Sequence, residues 1–239
     1  MRIQVAAGRL TERSFTQVPR DLSPRATIPE NPRSAGTPPS ARPRQNDGSE
    51  KRDRILQAAV DVFAEHGYFN ARVSDIARKA DVADGTIYLY FKSKEQILMA
   101  ALEHAFALFL RIANQELKDV ADPRAKLKRL AELHLSSLAS NRGLAMVFQT
   151  ELRQSAKFLS EFSHKHLASY FDLIRSIVRE GQEAGVFRKQ VSDKIAANCF
   201  FGAIDAMVTS WLLSERDYPL AAAADALVDV ILSGMEERR

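Results

Sequence analysis

One segment of the chain, residues 73–98, carries hydroxyl and ammonium groups at spacings that suit the binding of phosphate oxygens. These groups belong to Thr86, Tyr88, Tyr90, Lys92 and Lys94. Lys94 falls in the first turn of a predicted helix, where it adds positive charge to backbone amides that already attract anions. Gly85 has no side chain, so a sugar-phosphate backbone can approach closely there. The chemistry that this set predicts is binding to the phosphates of a nucleic acid.

The elements that carry these groups have the pattern of a helix-turn-helix. Val73, Ile76 and Ala77 face inward from one short helix, and the turn Asp81-Val82-Ala83 leads to a second short helix from Asp84 to Phe91. Small or apolar residues at the inward positions allow two such helices to pack at a steep angle. The second helix of this motif presents its N-terminal side chains to the major groove. The sequence therefore predicts double-stranded DNA as a partner.

Amphipathic helices are predicted on both sides of this unit. Gly67 is expected to end the preceding helix and Ser93 to cap the following one. The preceding helix has an apolar face formed by Ile55, Ala58, Ala59, Val62 and Phe63. Beyond Pro123, helices are predicted over residues 124–140, 143–153, 156–184, 192–215 and 219–237. Because no useful stretch shows strand-like alternation, the sequence predicts an all-α protein with a small N-terminal domain and a larger helical bundle.

Three segments differ in composition and predicted role. Residues 1–50 hold seven of the nine prolines and one of the thirteen phenylalanines, so they are predicted to be a disordered Pro/Arg-rich tail. Residues 51–97 form the predicted helix-turn-helix DNA-binding domain, and residues 98–239 the predicted ligand-binding and dimerisation domain. Basic residues exceed acidic ones by three in residues 1–50 and by two in residues 51–94, as expected where nucleic acid binds.

Several classes of protein are disfavoured by missing signals. A lone cysteine, Cys199, excludes an intrachain disulfide and a cysteine metal site, and no metal site is predicted. The sequence contains no GxSxG elbow, glycine-rich phosphate loop or HExxH zinc motif, so we do not expect an enzyme. The most apolar segment, residues 196–213, is interrupted by Asn198 and Asp205, so no membrane span is predicted. The expected location is the cytoplasm.

The helix-turn-helix segment resembles the TetR-type repressors. The similarity lies in Ile76-Ala77, Val82, Gly85-Thr86, Tyr88-Leu89-Tyr90-Phe91, Lys94-Glu95 and Ile97. It implies that the start of the first helix lies near a phosphate and that the recognition helix contacts DNA. The predicted DNA-binding residues are Lys51, Arg52, Arg72, Ala83, Gly85, Thr86, Tyr88, Tyr90, Lys92 and Lys94. Two positions depart from the family pattern: Arg72 replaces a capping threonine, and Asp84 replaces a lysine.

Within this family, residues 51–238 are similar to the acyl-CoA-responsive repressors of fatty-acid degradation in bacilli and thermophiles. The similarity rests on residues 82–91, on ELRQS at residues 151–155, and on FGAID at residues 201–205 followed by Trp211. It implies no cofactor and a long-chain acyl-CoA as effector. An acyl chain needs an apolar channel, and CoA phosphates need basic side chains at its mouth. The predicted ligand-binding residues are Phe106, Phe109, Arg111, Arg142, Phe148, Arg153, Phe158 and Phe162.

The last two predicted helices indicate a homodimer. Small residues (Gly202, Ala203, Ala206 and Ser210) recur at helical spacing in one helix, and the other carries an apolar stripe from Leu220 to Ile231. The resemblance implies that these helices pair with the same helices of a second copy, which suits a two-fold operator. Core packing within one chain is the alternative.

Two other functions remain open from the sequence. Within the same family, the alternative is a repressor of an efflux or stress operon that responds to another hydrophobic ligand. From another class, the alternative is a helical lipid-binding or adaptor protein without DNA function. The salt dependence of binding to duplex DNA separates this last class from a repressor, since phosphate contacts weaken steeply with salt.

Overall fold

The computed structural model describes residues 45–154, 162, 166–216 and 218–235, and in these residues the regular elements are all helices, without an extended strand. The all-α prediction is confirmed. The helices are α1 (Gln45–Asn70), α2 (Val73–Lys79), α3 (Asp84–Tyr90), α4 (Lys94–Leu117), α5 (Pro123–Ala139), α6 (Arg142–Gln154), α7 (Ala168–Glu183), α8 (Asp193–Leu213) and α9 (Ala224–Met235), with a 3-10 turn at Leu220–Ala223 before α9.

Helix α1 starts and ends differently from the prediction. It begins at Gln45, although the sequence pattern places residues 45–50 in the tail. Those six residues include no large apolar side chain, so hydrophobic periodicity gives no signal there. Gly67 interrupts α1 with φ 71° and ψ 162°, a conformation that favours glycine, but one further turn follows as far as Asn70.

The turn between α2 and α3 is set by a backbone motif at the end of α2. The amide of Val82 donates to the carbonyl of Ala77 at 3.0 Å, and the amide of Asp81 donates to Arg78 at 3.3 Å. This pair of bonds is a Schellman motif, which needs a left-handed residue after the helix. Asp81 fills that position with φ 56°. The turn therefore begins at Ala80, one residue before the predicted turn.

The C-terminal helices surround a continuous apolar core. Pro123 occupies the first turn of α5, and Asp122 caps that helix by accepting a hydrogen bond from the Arg124 amide at 3.1 Å. α7 packs against α8, and α5 packs against α9. Of the predicted helix over residues 156–184, the structure describes residue 162 and residues 166–184, and α7 begins at Ala168. The predicted helix over residues 219–237 starts instead with the 3-10 turn.

Two helices, α4 and α8, are long and apolar enough to cross a membrane by length and composition. α4 owes this composition to a stripe of buried side chains that includes Leu98, Leu102 and Phe106. α8 buries Phe200, Ile204 and Val208 on one face. Because core helices pass the same test, this finding is weak evidence for a membrane protein.

Candidate DNA-binding surface and ligand cavity

Helix α3 presents one face to the core and one to solvent. Ile87 is fully buried in the core, and α3 packs against α2. Asp84, Gly85, Tyr88 and Leu89 are exposed. The side chains that the sequence assigns to DNA contact therefore lie on the outer face or at the edges of the helix. An exposed second helix is what a helix-turn-helix needs to enter the major groove.

The N-terminal ends of α2 and α3 both lack a side-chain cap. Arg72 and Ala83 occupy the cap positions with extended backbone, and neither caps its helix with a side-chain hydrogen bond. Both residues are exposed. At α3, the amide of Thr86 donates to the Ala83 carbonyl at 2.8 Å. Each helix therefore keeps amide groups in its first turn that an incoming anion can accept from.

Tyr88 and Tyr90 have different surroundings, as expected for residues two apart in a helix. Tyr88 is 58% exposed. Tyr90 is half-buried, its ring packs near Phe91, and its hydroxyl lies beside Gly48 at the start of α1. Tyr88 is the more accessible of the two phenols, while Tyr90 also fastens α3 to α1.

Lys94 is held inside the helix-turn-helix unit. Its Nζ donates to the carbonyls of Phe69 at 3.1 Å and Ala71 at 2.9 Å, and it lies 4.7 Å from the centre of the Tyr68 ring. These bonds join the start of α4 to the end of α1, where helix carbonyls lack partners. In this conformation the ammonium group of Lys94 holds α4 against the end of α1 and so positions the helix-turn-helix unit. The backbone at the start of α4 lies beside that unit.

Lys92 precedes α4 and is exposed. Its amide donates to Gln96 Oε1 at 2.8 Å, and Ser93 Oγ accepts from the Gln96 amide at 3.2 Å, so the backbone around Lys92 is fixed. At the start of α1, Lys51 and Arg52 are half-buried, and the Arg52 guanidinium lies 5.6 Å from the centre of the Phe91 ring. The predicted basic residues thus surround α3 on neighbouring elements.

A cavity of about 270 Å³ lies between α4, α5, α6 and α8. Five of the eight predicted ligand-binding residues line it, and the aromatic ones among them contact one another: Phe106 lies 5.3 Å from Phe162 and 6.5 Å from Phe148 between ring centres. The five residues are Phe106, Phe109, Phe148, Arg153 and Phe162. The structure brings these side chains together around an apolar space.

The remaining three predicted residues do not line this cavity. Arg111 is exposed on α4. Arg142 donates to the Leu212 carbonyl at 2.9 Å and stacks over the Trp211 ring at 4.5 Å, so its guanidinium joins α6 to α8. Sequence periodicity places these arginines on helices without showing which way they face. Phe158 lies outside the described residues.

A polar cluster in the cavity wall was missed by the sequence reasoning. Asp205 Oδ1 accepts hydrogen bonds from Gln149 Nε2 at 2.9 Å and from Arg153 at 2.5 Å. The two ligand-domain motifs, ELRQS and FGAID, therefore meet through the Arg153–Asp205 ion pair. The available signal was Asp205 itself, a carboxylate in the middle of an apolar helix, where an unpaired charge is costly.

His134 on α5 is a second cavity residue that the sequence did not single out. Its Nδ1 lies 2.9 Å from the hydroxyl of Tyr170 on α7, and the Tyr170 side chain is fully buried. The aromatic wall buries Tyr170 fully and His134 in part. Loss of hydration lowers the pKa of His134 from 6.5 to about 4, and it raises the pKa of the Tyr170 phenol well above its usual value. The imidazole is therefore neutral at pH 7.

The cavity wall is packed directly on the DNA-binding unit. α4 carries Phe106 and Phe109 at the cavity and contacts α1 along its N-terminal half. α6 carries Phe148 and Arg153 at the cavity, while its buried Glu151 reaches the Gly67 break in α1. All these helices belong to one compact unit, residues 43–239. A change in the shape of the cavity can therefore be transmitted to α1 through either α4 or α6.

Among the described residues, no group of three or more His, Cys, Asp or Glu side chains is placed to hold a metal ion. His166 Nε2 lies 3.0 Å from Glu103 Oε1, and its ring packs against Phe162, which lines the cavity. The arrangement offers an apolar binding space with a few polar groups, which is the usual form of a small-molecule site.

Known proteins share both halves of this arrangement. The family profile described as "Bacterial regulatory proteins, tetR family" matches residues 55–101, and the profile described as "YsiA-like protein, C-terminal region" matches residues 102–234. The fatty acid metabolism regulator protein of Bacillus subtilis is 36% identical over 185 residues, which cover 77% of this chain and 95% of that protein. The repressor NicS of Pseudomonas putida is 31% identical over 157 residues, covering 63% of this chain and 74% of that protein.

Solved structures agree with these matches. FadR from Bacillus subtilis, solved in complex with stearoyl-CoA, superposes with a TM-score of 0.73 at 37% identity, and the match covers 76% of this chain and 98% of FadR. FadR from Bacillus halodurans superposes with a TM-score of 0.72 at 38% identity, with the same coverage of the two chains. These relatives are regulators and not enzymes. The chain therefore belongs to the TetR family of DNA-binding, ligand-responsive transcriptional regulators, and within it is similar to the fatty acid metabolism regulators of Bacillus.

Proposed function

We propose that this protein is a cytoplasmic repressor of fatty-acid degradation genes that binds palindromic operator DNA as a dimer and is released by long-chain acyl-CoA. One observation carries the proposal: the walls of an aromatic cavity are formed by α4 and α6, and the same two helices pack against α1 of the helix-turn-helix unit. A ligand that moves α4 or α6 therefore also changes their contacts with α1, and these contacts help to place the helix-turn-helix unit that contains α3.

The cavity supports an apolar effector of some length. Its volume of about 270 Å³ lies below the range of about 300–1,000 Å³ that is usual for ligand pockets. A long acyl chain therefore has to widen it by moving the walls. A ligand releases DNA only if it binds the non-DNA conformation better, and a cavity that must widen supplies this difference in affinity. The FadR relative that holds stearoyl-CoA supports the choice of ligand.

The transmission from cavity to DNA runs through α4 and α6. Phe106 and Phe109 lie one turn apart in α4, and the same helix begins at Lys94, which is bonded to the end of α1. Displacement of α4 by a ligand pulls on those bonds and rotates the helix-turn-helix unit. In a dimer this changes the distance between the two α3 helices, which must match the spacing of the half-sites.

The exposed faces of α8 and α9 support the dimer. On α8, Ile195 is 63% exposed and Leu213 is 80% exposed, and between them lie Gly202 and Ala206 on the same face. Within the described part of the chain, no atom beyond the helix's own backbone and the adjacent residues lies within 4 Å of a Cβ built on Gly202, so a partner helix can approach closely there. On α9, Val230 is 76% exposed. Part of the predicted stripe, namely Leu220, Ala224 and Val228, is instead core within one chain.

The dimer is tested by a charge on this face. Ala206→Glu is expected to yield monomers in light scattering and to lose cooperative operator binding, because a desolvated charge without a partner opposes association. The matched control is Ala184→Glu at the exposed end of α7, which should remain dimeric. A dimeric Ala206→Glu protein would show that another surface is used.

The whole proposal is tested by fluorescence anisotropy with an operator selected from a random duplex pool. We expect tighter binding to the operator than to scrambled duplex, a steep loss of affinity with salt, and release on adding stearoyl-CoA but not free CoA. Ala105→Phe fills the cavity and should bind operator without responding to the effector. Ala107→Phe, on the exposed side of the same helix, should respond normally.

The outcomes separate the open alternatives. No preference for the operator over scrambled duplex would contradict a repressor and favour a lipid-binding protein without DNA function. A different result would favour a repressor of an efflux or stress operon. In that result the protein binds its operator specifically and is not released by any acyl-CoA. Another hydrophobic ligand releases the wild type but not Ala105→Phe.

A further inference from the structure

Helix α3 lacks the side chains that usually read bases by paired hydrogen bonds. Arginine and lysine bind guanine in this way, and asparagine and glutamine bind adenine. The seven residues Asp84–Tyr90 include none of the four. The side chains that α3 does expose are one carboxylate, one phenol and one leucine: Asp84, Tyr88 and Leu89.

Leu89 is 82% exposed, the highest value among the large apolar side chains that the structure describes as exposed. Three others have comparable exposure: Leu213 and Val230 lie on α8 and α9, on the face assigned above to the dimer, and Phe69 lies at the end of α1. Leu89 lies on α3, outside that face. Its neighbours along the helix, Tyr88 and Tyr90, carry phenols that can contact phosphate oxygens.

The backbone at the start of α3 leaves room for close approach. A Cβ built on Gly85 meets no atom within 4 Å, and Gly85 does not have a positive φ. The fold of this chain therefore does not require glycine at that position. Ala83, at the cap of the helix, is exposed and carries only a methyl group. Because the side chains at these two positions are small, α3 can approach the DNA closely and Leu89 and Tyr88 can enter the major groove.

Basic side chains on the neighbouring elements fit a nucleic acid as the occupant of this surface. Arg72 at the start of α2 and Lys92 after α3 are both exposed. They lie on either side of α3 along the chain, and phosphate contacts on both sides position a helix in the groove without specifying sequence. Among the large apolar side chains of α3, Leu89 is the most exposed and so the best placed to read a base by apolar contact.

We propose that Leu89 reads the C5-methyl groups of thymine in each half-site of the operator, so that this contact supplies part of the sequence specificity in place of a paired hydrogen bond. Thymine is the base with a methyl group in the major groove, and apolar side chains contact it. The proposal rests on the DNA binding proposed above. Burial of one methyl group against a leucine is expected to change affinity about fourfold.

The experiment removes the methyl groups one at a time. In the selected operator, each thymine of one half-site is replaced by uracil, which pairs identically but lacks the methyl group. The wild-type protein is expected to bind about fourfold more weakly at one or two positions and to be unchanged at the others. Leu89→Ala should bind the thymine operator more weakly and lose its response to uracil at those positions. Leu89→Met, which keeps apolar reach, should retain the response.

Each contrary result has a separate meaning. If uracil at every position leaves wild-type affinity within about twofold, or if Leu89→Ala responds to uracil as the wild type does, the thymine proposal is wrong while the repressor function stands. If Leu89→Ala weakens binding to operator and scrambled duplex equally, Leu89 contacts the backbone and the proposal is also wrong. If the wild-type protein never prefers its operator, the proposed function itself fails.

Discussion

The DNA-binding surface and the ligand cavity are built in different ways. Apart from Lys51 and Arg52 on α1, the surface comes from one continuous segment, residues 72–94, in which neighbouring residues along the chain share a turn or a helix end. The cavity draws its wall from four helices, and its ion pair joins residues that are 52 positions apart. Local backbone bonds set the turn of the first region and the buried Ile87 anchors its outer helix, whereas the second region depends on the burial of aromatic rings. Changes to single residues should therefore damage the two regions by different mechanisms.

The largest expected effect lies in the aromatic cluster. Phe106 is 8% exposed and its ring contacts Phe109, Phe148, Phe162 and Tyr170. Phe106→Ala is expected to lower the free energy of unfolding by about 3–5 kcal/mol, because it leaves a void that the surrounding rings cannot fill. Urea denaturation measures this change.

The matched control is an exposed phenylalanine in the last turn of α1. Phe69 is 77% exposed beside the helix-turn-helix. Phe69→Ala should change stability by less than about 0.5 kcal/mol. Equal losses of stability in the two variants would contradict the view that burial, rather than local bonding, holds the cavity together.

The second effect is a pH dependence of the cavity region. Burial lowers the pKa of His134 to about 4 in the folded protein, while in the unfolded chain it is near 6.5. As pH falls below 6.5, the unfolded state takes up the proton first, so stability decreases progressively until the pH reaches about 4. Between pH 7 and 4.5 the free energy of unfolding of the wild type should fall by about 2 kcal/mol more than that of His134→Gln.

An exposed histidine controls for the general effect of acid. His104→Gln, on the outer side of α4, should keep the wild-type pH dependence. Urea denaturation at several pH values gives the comparison. Parallel curves for wild type and His134→Gln would show that the imidazole is not enclosed by the aromatic wall.

The third effect distinguishes two lysines of the DNA-binding surface. Lys94→Met removes the hydrogen bonds to Phe69 and Ala71 and is expected to cost about 1–2 kcal/mol of stability. Lys92→Met should leave stability within about 0.5 kcal/mol, but weaken operator binding and lower the salt slope by about 1 for each phosphate that it no longer neutralises. Denaturation and salt-dependent anisotropy separate the two roles. A Lys94→Met protein as stable as the wild type would contradict the positioning role of Lys94.

The smallest effect concerns the turn before α3. Asp81 has φ 56°, which costs free energy for a residue with a Cβ. Asp81→Gly should stabilise the protein by about 0.5–1 kcal/mol, and Asp81→Val should destabilise it by more than that. Thermal melts of the two variants measure the difference. A stabilised Asp81→Val protein would mean that the left-handed conformation is not retained in solution.

The sequence predicted the two regions to different depths for physical reasons. The spacing of Ile76, Ala77 and Ile87 predicts the helix-turn-helix. It does so because the residues that pack the motif and the residues that would contact DNA lie in the same short segment. The aromatic residues of the cavity were found since bulky apolar side chains on amphipathic helices point inward. The partners of Arg153, Arg142 and Lys94 were not predictable, because each depends on how distant helices pack. For the same reason, His134 and Gln149 gave no signal in the sequence.

The central claim is that the two regions share one equilibrium. Linkage requires that an effector which weakens operator binding be weakened by operator to the same degree. Isothermal titration calorimetry can measure stearoyl-CoA binding to the free dimer and to the dimer saturated with operator, and operator binding with and without stearoyl-CoA. We expect both ratios to be equal and to lie at about 5- to 150-fold. A ratio of one, with both ligands bound, would contradict the account.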